Sequence, residues 1–136
     1  MNQIILFNYD EMKSGINKPI KNKELLQMIM EAFSNNEMEF VLSHLADDVS
    51  WNIVGMPVIR GKREFLEALK TMELENFTSV NIKNIIAEGN YVVVESVRKT
   101  GTKTMTLNNP SYCDIYCITD GKIREITTYA VDTSNE

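Results

Sequence analysis

An α+β domain is predicted by three features of the chain. Apolar residues recur at helical spacing three times in the first half. From about Asn76 onward they alternate as in strands. Turn signals at Glu88-Gly89-Asn90, Asn108-Asn109-Pro110 and Asp120-Gly121 then cut that second half into hairpin lengths. Helices gathered before an antiparallel meander segregate α from β, the mark of this class. At 136 residues the chain is one domain's worth of sequence.

Residues 1–20 carry no period and contain Gly15 and Pro19, so they read as an N-terminal arm, with the domain proper over 21–136. Leu25, Met28, Ile29, Ala32 and Phe33 fall at i, i+3, i+4, i+7 and i+8, one apolar helical stripe behind an N-cap at Asn22. Asn35-Asn36 breaks that helix. Met38, Val41, Leu42, Leu45 and Ala46 repeat the spacing in a second helix, which Asp47-Asp48 ends. Val49–Val54 reads as a short strand, and Gly55 to Gly61 as a loop punctuated by Pro57. A third helix carries Phe65, Ala68, Leu69 and Met72 on one side. Strands follow over Thr78–Ala87, Tyr91 to about Leu107 with a bend at Gly101, Ser111–Thr119 and Lys122–Asp132, the last pair joined through the Asp120-Gly121 hairpin turn.

Composition excludes several functions. Lys and Arg total 14 against 19 Asp and Glu, a net charge of −5, which argues against the basic surface a nucleic-acid binder needs. No apolar run approaches the ~18 residues of a membrane span, and the first residues lack the basic and apolar regions of a secretory signal. A cytoplasmic protein is expected. Cys113 and Cys117 lie four apart in a strand, about 13 Å at ~3.3 Å per residue, too far for a disulfide with each other. Two Cys and the single His44 make a poor zinc set, and no cofactor is expected.

Two strands are apolar on both faces. Val92 and Val94 oppose Val93 and Val97, and Ile115 with the two cysteines opposes Tyr112, Tyr116 and Ile118. A one-sided sheet would show a polar outer face. A second copy of the chain is the simplest cover, so a homodimer through the sheet is expected, with the N-terminal arm as the alternative cover.

The stretch Leu45-Ala46-Asp47-Asp48-Val49-Ser50-Trp51, Gly61 at the third helix, and Asp120-Gly121-Lys122-Ile123 leading to Tyr129 and Asp132-Thr133 resemble the nuclear transport factor 2-like superfamily. The similarity is to its SnoaL-like, ketosteroid-isomerase-like and limonene-epoxide-hydrolase-like branch, over roughly residues 24–133. The resemblance implies a cone: three N-terminal helices packed in the concave face of a curved antiparallel sheet around an apolar pocket, often in a dimer. Fold alone does not decide function here.

Against the ketosteroid-isomerase pattern, whose carboxyl chemistry is a well-characterised case, the base position holds Ile53 and the tyrosine position Ile29. Only Asp114 falls where the donor acid stands. Against the epoxide-hydrolase pattern, Glu-Arg-x-Asp becomes Glu95-Ser96-Val97-Arg98, the second aspartate becomes Thr128, and the water-holding pair becomes Trp51 and Ile53. Anchoring on Asp132-Thr133 instead puts Tyr129 in place of Thr128. Arg98 faces the pocket if that alignment holds, able to pair with Asp114 or grip a carboxylate; Glu95 then lies at the dimer face or rim, and the reverse orientation swaps the two.

The expected pocket residues are therefore Ile29, Trp51, Ile53, Arg98, Asp114 and Tyr129, with Asp114 the candidate catalytic group. Three functions follow as expectations: binding of a small hydrophobic or weakly acidic molecule, a cofactor-independent isomerase, cyclase or dehydratase using Asp114 as acid or base, or a non-catalytic dimeric scaffold.

Overall fold

The computed structural model describes residues 20–71, 80–98, 103–104, 107–108 and 110–133. The arm expected over 1–20 lies outside them except for Ile20, which packs half-buried against the core. Helix α1 (Asn22–Ser34) buries the predicted stripe, with Leu25, Met28, Ile29 and Ala32 inside. Its N-cap is Lys21 rather than Asn22. Asn22 instead donates from Nδ2 to the carbonyls of Ile118 at 3.1 Å and Gly89 at 3.4 Å, tying the start of the helix to the ends of two hairpins.

Helix α2 (Met38–Ser43) is shorter than its stripe. The chain turns at His44, whose carbonyl accepts from the Ile123 amide at 2.8 Å, and Leu45 and Ala46 enter strand β1 (Leu45–Ile53) instead of prolonging the helix. Both are buried, and two consecutive buried residues fit a helical period as well as an irregular strand. Asp47 and Asp48 fall within that irregular stretch, exposed, and Lys62 pairs with Asp47 at 3.3 Å. Strand β2 (Ile59–Arg60) returns antiparallel to β1, and helix α3 runs over Gly61–Thr71. Met72 and Gly101 lie outside the described residues.

The second half is built of β3 (Val80–Glu88), β4 (Tyr91–Arg98), a separate pair β5 (Lys103–Thr104) and β6 (Leu107–Asn108), then β7 (Pro110–Thr119) and β8 (Lys122–Asp132). The long strand expected from Tyr91 to Leu107 is thus β4 followed by the small β5–β6 ladder. The main sheet has the order β2-β1-β8-β7-β4-β3. It is mixed: β8 runs antiparallel to β7 but parallel to β1. Asp120 and Gly121 both have positive φ (53° and 73°), as the predicted two-residue hairpin turn requires.

Register shifts interrupt β1, β3 and β8. Such irregularities bend strands and sharpen their twist. The sheet curls into a cone around α1, α2 and α3. Apolar side chains from the concave face, among them Val92, Val94, Ile118 and Ile126, meet Leu26 and Met28 of α1 in one core.

Candidate functional site

Beside that core the helices leave a cavity of about 120 Å³. This is on the scale of an engineered apolar cavity that admits benzene. Ile29 and Met30 from α1, Phe65 and Leu69 from α3, and Ile82 and Val94 from the sheet give it an apolar wall. Ile29 and Ile53, the positions at which the isomerase resemblance implies reactive groups, both line it and are each 4 % exposed. Neither side chain can transfer a proton.

The polar lining is short: Ser96, Tyr112, Asp114, Tyr116 and Thr128, with the indole of Trp51. Three of these form a chain. Trp51 Nε1 donates to Thr128 Oγ1 at 2.9 Å, and Thr128 Oγ1 donates to Asp114 Oδ1. The direction is fixed by chemistry, since an indole N–H can only donate. Thr128 therefore accepts from the tryptophan and spends its one proton on the carboxylate. Trp51 is braced by Phe65, their ring centroids 5.3 Å apart at a 42° tilt.

Burial raises the Asp114 carboxyl from an ordinary 3.8 to about 6, against the opposing pull of the Thr128 hydrogen bond. The charged form has lost water that one hydroxyl does not replace. Burial, and secondarily the charge of Asp114, holds the Tyr116 phenol well above its usual range. Cys113, on the opposite face of β7, is likewise pushed up by burial and then by Asp114 and Glu95, so it remains a thiol rather than a nucleophilic thiolate. Among the described residues no three His, Cys, Asp or Glu side chains gather where they could hold a metal ion. Nor is any described helix long and apolar enough to cross a membrane.

A model of the SnoaL-like domain matches residues 26–126. The chain belongs to the SnoaL-like domain family. Solved structures agree with this SnoaL-like assignment at the level of fold. One nuclear transport factor 2-like protein of unknown function from Cytophaga hutchinsonii is 26 % identical, covers 82 % of this chain and all of its own, and superposes with a TM-score of 0.63. Another from the same organism is 15 % identical with a TM-score of 0.66, covering 85 % of this chain and 95 % of its own. One from Burkholderia xenovorans is 18 % identical with a TM-score of 0.63, over 84 % of this chain and 85 % of its own. No curated protein matches the chain.

Of the six residues expected at the SnoaL-like pocket, Ile29, Trp51, Ile53 and Asp114 line the cavity. Tyr129 does not. It is 48 % exposed on the outer face of β8, opposite Cys113, and Thr128 occupies the inward position. The cause is the register shift between Cys117 and Ile118, which turns the rest of β8 over by one residue. The Arg98 side chain lies outside what is described; its backbone pairs with Val80. Glu95 points outward and accepts from Asn84 Nδ2 at 2.7 Å. Ser96, Tyr112 and Tyr116 were not among the expected site residues, although strand alternation with Asp114 places both tyrosines on its face of β7.

Proposed function

We propose that this SnoaL-like domain binds one small, largely apolar molecule in the cavity, with the molecule's polar end against Asp114. The observation that carries the reading is the cavity itself: a volume of about 120 Å³, walled mainly by aliphatic and aromatic side chains, with a hydrogen-bond chain that ends on one carboxyl. Cavities of this kind, apolar with a few convergent polar groups, are the usual form of a ligand site.

Trp51 is the only tryptophan in the chain and lies in the cavity wall, so its emission reports occupancy. Titration with small aromatic and alicyclic compounds is expected to give a saturable change in that emission. Ile29→Phe, which fills the space, is expected to abolish it. A saturable change that persists in the filled variant would place the ligand elsewhere and sink the reading.

One observation favours a second reading. An acid that titrates at about 6 is poised for proton transfer near neutral pH, which suits an isomerase, cyclase or dehydratase working through Asp114. Under that reading Asp114→Asn abolishes turnover while leaving ligand affinity in place.

The partner we propose is a second copy of the chain, on the outer face of the sheet. Ile86, Val93 and Ile115 stand in one cross-strand row there, flanked by Tyr91 and Tyr129, and Ile86 is 63 % exposed. A face crossing its own two-fold copy is the commonest way to cover such a surface. A single-protomer mass by light scattering at micromolar concentration would overturn it.

A further inference from the structure

We infer that the molecule taken up by the cavity carries a positive charge: a small primary or secondary amine on an apolar body, its ammonium set against Asp114. The inference rests on the ligand-binding reading above and assigns the chemistry of the ligand's polar end. Among the described lining residues Asp114 is the only one with a formal charge at neutral pH, and no Lys, Arg or His stands with it. From α1, α3, β1, β3, β4 and β8 no described titratable side chain faces it across the cavity. The two that do, Tyr112 and Tyr116, are its own neighbours on β7, and the Tyr116 phenol keeps its proton.

The hydrogen-bond chain points the same way. Trp51 and Thr128 deliver donors toward Oδ1 and no acceptor, which supports the anion and leaves Oδ2 for a partner. A carboxylate in apolar surroundings is costly unless an opposite charge joins it. Above pH 6 the carboxyl is mostly ionised, so its own oxygens offer no proton to a neutral carbonyl and repel an anion. An ammonium supplies both the missing charge and the missing protons. The rest of the wall suits it as well: Phe33, Trp51, Phe65, Tyr112 and Tyr116 all line the cavity, and aromatic faces attract cations.

Three probes of one shape separate the possibilities: benzylamine, benzyl alcohol and benzoate, each titrated into the protein at pH 5 and pH 7.5 with binding followed by calorimetry and Trp51 emission. Benzylamine stays charged throughout, so its affinity is expected to rise about tenfold as Asp114 ionises between the two pH values. It should be the tightest of the three at pH 7.5, while benzyl alcohol shows no rise. Asp114→Asn should remove both the rise and the preference. If that variant does not fold, the pH series on the unmodified protein decides alone. Tighter binding of benzyl alcohol or benzoate at pH 7.5 overturns the amine and leaves the cavity reading standing. Failure of all three probes to bind overturns both.

Discussion

Two rows of residues cross the same three strands one position apart. On the inner face Val94, Asp114 and Thr128 stand in register; on the outer face the row is Val93, Ile115 and Thr127. The inner row places a carboxyl inside an apolar cavity, while the outer row presents the apolar side chains of Val93 and Ile115 only half-buried. Each runs against the usual partition of polar and apolar groups. The informative cases are these departures, because folding alone favours neither of them. They are a carboxyl drawn out of water with one hydroxyl for support, and apolar side chains left half-buried at the surface. Under the readings proposed above, a small molecule completes the first and a second copy of the chain the second.

The contrast breaks most visibly on β7, where Ile118 and Ile115 face opposite ways. Ile118→Ala on the inner face should cost about 2–5 kcal/mol in urea unfolding. Ile115→Ala on the outer face should cost under about 1 kcal/mol. Equal costs would mean the two faces are equally packed. A second effect is set by Asp114. Its carboxyl rises from 3.8 to about 6 on folding, so the folded chain binds more protons than the unfolded one between those values. Stability from this group is full below 3.8 and is lost as pH climbs through 6, by about 3 kcal/mol at most. The difference between the unmodified protein and Asp114→Asn should follow that slope, with the variant the more stable at pH 7. A flat difference would mean the carboxyl is well solvated.

Thr128→Val should cost about 1–3 kcal/mol, because it strips the partner from both Trp51 Nε1 and Asp114 Oδ1. It should also push the Asp114 carboxyl further up, as the lost bond is the one that lowers it. A titration of Asp114 by nuclear magnetic resonance that stays in place after the change would disconnect the chain. The smallest effect on the fold belongs to Ile115→Lys. Its circular dichroism should match the unmodified protein, and under the proposed pairing of two copies its mass in solution halves.

Much of this arrangement was legible in the residues. Alternation puts Tyr112, Tyr116 and Ile118 on one face of β7, the resemblance singles out Asp114, and the Asp-Gly turn at 120–121 joins that strand to β8 as expected. The family resemblance brought Ile29 and Ile53 to the same chamber. Other features were hidden for physical reasons. Counting alternation without a break from buried Ile123 carries position 129 to the inner face. The shift between Cys117 and Ile118 reverses this and delivers Thr128 there. A single extra residue inverts every side chain that follows, and no local composition marks it. The end of α2 was misread for a related reason. Leu45 and Ala46 are buried in the irregular start of β1 at positions that a helix would also have buried.

The parallel pairing of β1 with β8 also bears on how the chain reaches its native state. β8 follows every other strand in the chain, yet it lies between β1 and β7 in the sheet. The Trp51–Thr128 bond spans 77 residues. Contacts that distant are slow to form, since a long loop must close before any of them is made. In the sheet, β8 covers the facing edges of both β1 and β7. β8 is thus the strand that joins the β1–β2 pair to the β3–β4–β7 meander, and it brings the Thr128 hydroxyl to Asp114.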